Sequence, residues 1–244
     1  MRALMLFAVL ATPAFAQDSG QSKLGPNAIP VTQDAAYLRR ADAPDYWALS
    51  VFVKPQFTTS ACSIAAVTAT LNGLQGLPDK AADTVMTQQA LLDLTGSADW
   101  AALSAEGGDG VTFDQLVDFT GAAIAARQQP LAVTAWKPDQ HADGAPLDRL
   151  RAILASNEAS ANDAVMIYFN QGVVTGDWDG PHVSLIGAYD AEKDAVLILE
   201  VDQEWYVPYW TPVPVLLDAL TKPTSAEHGV LEGETGGVVI VAPA

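Results

Sequence analysis

The sequence predicts an α+β fold, a helical N-terminal half packed on an antiparallel β-sheet, and three observations carry that expectation. Apolar positions recur at helical spacing in four stretches up to residue 156. The period then falls to two in runs rich in β-branched and aromatic residues, "DAVMIYF", "HVSLIGAYD", "AVLILEVD" and "GGVVIVAP". No fixed-period repeat or low-complexity run points to a solenoid or an array instead.

In chain order, the first stretch, "MRALMLFAVLATPAFAQDS", has a basic Arg2, a short apolar run, Pro13 and the small-x-small pattern Ala14-Phe15-Ala16. That is the layout of a secretory signal peptide over residues 1–16, and its apolar run is shorter than the roughly 20 residues a membrane span needs. An exported, periplasmic protein is therefore expected. Residues 17–36 are polar and contain Gly and Pro, so they read as a lead-in to one catalytic domain over 37–244. From Cys62 to Leu74, Ile64, Ala65, Val67, Thr68, Leu71 and Leu74 give a helix, with Thr58, Thr59 and Ser60 offering N-cap hydroxyls. Further helices are predicted at 86–95, at 112–126 (opened by Thr112) and at 147–156. In the second half, Gly180-Pro181 and residues 190–194 supply turn chemistry, and the latter joins two alternating runs as a hairpin.

After removal of Arg2 with the signal, 29 acidic side chains stand against 11 basic, a formal charge of 18 negative. Such a surface repels phosphate backbones and anionic lipid, so neither nucleic acid nor a membrane surface is an expected partner. One cysteine cannot form an internal disulfide, and in an oxidising compartment its thiol persists through burial or through use. One cysteine and three scattered histidines lack metal-ligand spacing, so no metal or other cofactor is expected.

Cys62 is that single cysteine, and it opens a predicted helix, where free N–H groups favour a thiolate. Gln56, six residues earlier, carries an amide able to donate to an oxyanion. A glutamine upstream of a helix-opening cysteine is the papain-like arrangement, which needs a distant histidine and a residue to orient it. His141 and His228 lie in polar, loop-like segments, whereas His182 opens a strand after the glycine-containing turn of "TGDWDGPHVSLIGAYD". Its strand partner carries Glu200 and Asp202, which are two apart and so share a face; either could meet the histidine. Trp178 and Asp179 flank that turn. Trp205, Tyr206, Tyr209 and Trp210 are equally suited to a pocket or to packing.

"PQFTTSAC" before a helix ending in "LNGL", then "GVTFDQL", then "HVSLIGAYDAEKDAVLILEVDQEWYVPYWTPVPVLLDAL" resembles the catalytic domain of phytochelatin synthases, from about Tyr37 to Val241. The resemblance implies a papain-like cysteine protease fold and attack on the Cys–Gly bond of glutathione, with hydrolysis as the main activity of the smaller bacterial members. It implies Cys62 as nucleophile, His182 as general base and Gln56 as oxyanion donor. The family's triad acid is an aspartate eighteen residues after the histidine; that place holds Glu200, with Asp202 as the alternate acid. Gly180, Trp178, Ser63 and Tyr206 are the expected substrate contacts, Ser63 standing where the family has glycine. The family's carboxylate-binding basic residues appear as Gln203 and Trp205, and its arginine before the last strand as Gly236. None of the three replaces the rigid donor fork of arginine, which, with the negative charge, counts against dianionic glutathione; the expected partner is a small thiol peptide like glutathione, or another short peptide. A non-catalytic binding module on the same fold and a peptidase with another substrate are the competing readings.

Overall fold

The computed structural model describes residues 23–80, 82–139 and 144–244. The proposed signal peptide, the start of the lead-in and His141 lie outside the described residues. Three short elements come first: β1 (Ile29–Pro30), α1 (Ala36–Arg40) and α2 (Pro44–Leu49). The central helix α3 (Cys62–Gln75) follows, then α4 (Gln88–Thr95), α5 (Ala98–Leu103) and α6 (Phe113–Ala126). The second half holds β2 (Leu131–Trp136), α7 (Ala145–Asn157), β3 (Ala164–Asn170), α8 (Gln171–Thr175), β4 (Pro181–Asp190), β5 (Ala195–Leu199), β6 (Tyr209–Pro212), α9 (Val213–Thr221), a 3-10 turn (Ala226–Leu231) and β7 (Gly237–Pro243).

These strands make one antiparallel sheet in the order β1-β6-β5-β4-β3-β7-β2. The predicted hairpin is β4–β5, with Asp190 opposite Ala195. Its partners two strands away are non-local: β7 inserts between β3 and β2, an order that alternation along the chain does not specify. Alternation does decide which side chains go to which face. On β3, Met166 and Tyr168 join a core with α2, α3 and α6, while Val165, Ile167 and Phe169 join a second core with α7 and α9. The helices α8 and α9 were not read from the sequence, and the second half is therefore a sheet with its own helical cover rather than strands alone.

Helix α3 is buried at every position from Ser63 to Asn72, which explains why its apolar stripe runs almost all the way round. Ile64, Val67 and Leu71 are fully buried, each contributing about 1.5–3 kcal/mol. The predicted capping hydroxyls do something else. Ala61 is the N-cap and no side chain caps the helix. Thr58 and Ser60 donate instead to the carbonyls of Ser104 and Gly108 at 2.5 and 2.6 Å, and Thr59 to Glu106 at 2.8 Å. These bonds tie the segment before Cys62 to the loop after α5 and leave the first-turn N–H groups of α3 uncapped by side chains. In α6, by contrast, Thr112 and Gln115 form a full capping box.

Candidate active site

Cys62 is the first residue of α3, and α3 packs against β4, the strand that begins at Pro181. This packing brings Cys62 and His182, 120 residues apart in sequence, into one cavity wall, close enough for the Cys62 side chain to raise the His182 pKa. His182 is only 4% exposed, and its Nε2 donates to Glu200 Oε1 at 2.6 Å. With Nε2 held by the carboxylate, Nδ1 is the ring nitrogen left for the thiol.

Glu200 is fully buried and its carboxylate is hydrogen-bonded at both oxygens. Oε1 accepts from His182, from the Asp202 N–H at 2.8 Å and from the Ser184 hydroxyl at 3.2 Å. Oε2 accepts from Gln171 Nε2 at 3.0 Å and the Tyr209 hydroxyl at 3.3 Å. Burial alone would raise the acid's pKa, but the His182 charge and these donors hold it below the ordinary carboxylate value. Burial likewise opposes charge on His182, yet the Glu200 carboxylate and the Cys62 hydrogen bond set its pKa well above the ordinary histidine value. Each partner thus favours the charged form of the other.

Asp202 does not share this position. Strand β5 ends at Leu199, and beyond it the chain turns so that Asp202 presents its backbone N–H, not its side chain, to Glu200. The two-residue rule that put both acids on one face applies only within a strand. The Asp202 carboxylate is half-buried and lines the adjoining cavity.

That cavity, about 510 Å³, includes Gln56, Cys62, His182, Trp178 and Tyr206 in its wall. Gln56 Nε2 donates one proton to the Thr59 carbonyl at 3.2 Å, which leaves its second N–H free. Tyr206 is 4% exposed and donates to Asp177 at 2.8 Å. Trp178 stands edge-on to His228, which also lines the cavity and whose Nε2 donates to the Asp179 carbonyl at 2.7 Å.

Two expected substrate contacts lie elsewhere. Ser63 is 1% exposed, faces the core and accepts the Trp100 indole N–H at 2.9 Å; being one residue past Cys62 on a helix turns it about 100° away. Gly180 is not part of the cavity wall. A Cβ there would fall 2.3 Å from the Trp178 ring, so this glycine lets the indole fold back over its own chain. The aromatic cluster divides: Trp205 and Tyr206 line the cavity, Tyr209 holds Glu200, and Trp210 packs on Tyr37 in the core. At Gly236 a Cβ would come within 1.8 Å of the Tyr168 carbonyl, so no side chain replaces the arginine expected there. Sequence reasoning missed Tyr168, Gln171 and Ser184. Only Ser184 had a signal, lying two residues from His182 on one strand.

Among the described residues, no group of three His, Cys, Asp or Glu side chains could hold a metal ion, and no helix is long and apolar enough to cross a membrane. Fold and site together define an α+β protein whose thiol, imidazole and buried carboxylate meet at a cavity between a helix N-terminus and an antiparallel sheet. More particularly, the chain belongs to the phytochelatin synthase family, whose model matches residues 21–228. It is 31% identical over 88 residues to glutathione gamma-glutamylcysteinyltransferase 1 of Arabidopsis thaliana, covering 35% of this chain and 18% of that one. It is 32% identical over 107 residues to glutathione gamma-glutamylcysteinyltransferase 3 of Lotus japonicus, covering 43% and 21%. The chain thus spans about a fifth of the length of these curated relatives.

Proposed function

We propose that the chain is an exported, papain-like thiol hydrolase that cleaves the amide after the cysteinyl residue of glutathione or a related small thiol peptide. The observation that carries this is the 2.6 Å contact between His182 and the buried Glu200, with Cys62 at the same ring. The relatives' names, which specify gamma-glutamylcysteinyl transfer, support the acyl group.

In the proposed reaction, His182 Nδ1 takes the proton of Cys62 while Nε2–H stays on Glu200. The thiolate attacks the amide carbon, and the negative charge moves to the carbonyl oxygen. The Cys62 N–H and the free N–H of Gln56 receive that oxyanion; one such donor is commonly worth about 10²–10³ in rate. Collapse breaks the C–N bond, and His182 gives its proton to the departing amine. Water, deprotonated by His182, then attacks the thioester, releases the acid and restores the thiol. Glu200 orients the ring and offsets the imidazolium charge that appears twice in the cycle. Hydrolysis is favoured over transfer to a second peptide because the basic residues that would hold an acceptor's carboxylates are replaced by Gln203, Trp205 and Gly236.

The experiment is incubation of reduced protein with glutathione, with released glycine measured by mass spectrometry. Release that disappears in Cys62→Ala is expected; undiminished release in that variant would refute the mechanism. A binding module would retain glutathione without releasing glycine.

A further inference from the structure

The wall of the Cys62 cavity is far more negative than positive. Glu106, Asp109, Asp177, Asp202 and Glu204 line it, against the ammonium of Lys23 and the imidazoles of His182 and His228. Glu106 is bonded to the Thr59 N–H and hydroxyl, and Asp177 to Lys23 and Tyr206. Among the described residues no hydrogen bond or close ion pair reaches the carboxylates of Asp109, Asp202 and Glu204. Burial raises the pKa of Asp202, with His182 and Lys23 pulling the other way and Glu200 and Glu204 adding to the rise. A half-buried acid with no hydrogen-bond partner, beside two other acids, is stabilised further by a cation in direct contact.

Two further observations point to a ligand and to its charge. Tyr168 is 2% exposed and lines the same cavity, where its hydroxyl has no partner. It lies close enough to Cys62 to feel that side chain's charge. Buried hydroxyls are normally bonded, so this one is placed for a polar atom of something bound next to the nucleophile. The cavity wall also already holds an ammonium: Lys23 Nζ sits 4.5 Å over the Trp205 ring and 3.0 Å from Asp177.

Mechanism fixes which part of the substrate faces the free acids. The departing nitrogen must take its proton from His182, so the leaving amine lies on the histidine side of Cys62. Asp202 interacts with that same imidazole.

Resting on the acyl-enzyme reading above, we propose that the leaving group of the natural substrate is a cationic amine. The substrate class is a cysteinyl amide of a diamine, a polyamine or a basic residue rather than of glycine. The distal ammonium is held by Asp202 and Glu204, with Asp109 across the cavity, and the Tyr168 hydroxyl donates to the acyl part. The C–S bond forms first, the C–N bond breaks on collapse of the oxyanion, the departing nitrogen gains the His182 proton, and the distal ammonium keeps its charge throughout. A glycine carboxylate in that position would meet unpaired acids.

The test compares three substrates with one gamma-glutamylcysteinyl acyl group, carrying glycine, n-butylamine or 1,4-diaminobutane on the cysteine carboxyl. kcat/KM is measured from released amine. The diaminobutane amide is expected to exceed both others about tenfold at low salt. That ratio is expected to fall below about threefold in Asp202→Asn/Glu204→Gln and to shrink with added salt. The butylamide separates charge from chain length. Glycine cleaved as well as the diamine, or a ratio untouched by the double variant, overturns the cationic leaving group and leaves the hydrolase reading standing. Cleavage of none of the three overturns both.

Discussion

Substituting Glu200→Gln keeps the shape of the buried acid and removes its charge. The amide oxygen can still accept from His182, Ser184 and the Asp202 N–H, as Oε1 does now. The new NH2 replaces Oε2, where it meets the donating Nε2 of Gln171; the Tyr209 hydroxyl can rotate to accept. One donor-against-donor contact in the core costs about 1–3 kcal/mol. Losing the charge partner of a buried imidazolium costs more, about 3–5 kcal/mol, but His182 can shed its proton and avoid much of it. The net expectation is about 3 kcal/mol, or roughly 6–12 °C in melting temperature for a chain of this size. Turnover should fall less than in a wrong-tautomer variant, about 10–100-fold, because the glutamine oxygen still holds Nε2–H and leaves Nδ1 for the thiol. Thermal unfolding and glycine release from glutathione measure the two effects. A variant with wild-type melting temperature and wild-type turnover would refute the role given to the buried pair.

Other expectations follow from the same geometry. Cys62→Ala should abolish turnover and shift the melting temperature by no more than about 2 °C, since the thiol is only partly buried. Ser63→Gly, which restores the residue the family has after its cysteine, should cost about 1–3 kcal/mol by stranding the Trp100 indole N–H, with the preference among substrates unchanged in kcat/KM comparisons. Burial, helped by Asp163 and Glu158 and opposed by Asn157, pushes Asp45 up to about 8, so its carboxyl stays protonated in the fold. The penalty is absent below the unfolded value near 4 and grows as pH rises toward 8, so Asp45→Asn should add stability increasingly over that range, about 2–3 kcal/mol at pH 6, seen as a rising melting temperature. The His182–Glu200 pair has the opposite sign on each side. The raised histidine stabilises fully below about 6.5 and is lost as pH rises through its folded value; the depressed acid stabilises fully above about 4.3 and is lost as pH falls through its own. The stability difference between wild type and Glu200→Gln should therefore peak between those limits in melts taken across pH.

Local chemistry made much of this legible. The capping box at Thr112 and Gln115, the buried helix after Cys62 and the β4–β5 hairpin each rest on neighbours in sequence, and the hairpin register places His182 near the Glu200 strand end. What sequence did not show depends on where strands stop and which distant strands pair. Asp202 leaves the strand face because β5 ends at Leu199. Tyr168 and Gln171 reach the cavity only because β3 lies between β4 and β7. Ser63, expected at the substrate because it stands where the family has glycine, is turned by one helical step toward Trp100. The acidic cavity wall gathers residues from the loop at 106–109, the turn at 202–204 and the segment around Asp177, and only the fold brings these together.

The most direct test of the account is capture of the acyl-enzyme. Reduced protein mixed with glutathione, or with the diaminobutane amide, is quenched in acid within its first turnover and analysed by intact and peptide mass spectrometry. A gamma-glutamylcysteinyl adduct on the peptide containing Cys62, absent in Cys62→Ala and scarce in His182→Ala, is the predicted result. Amine release that proceeds without any adduct at Cys62 and survives Cys62→Ala would contradict the account.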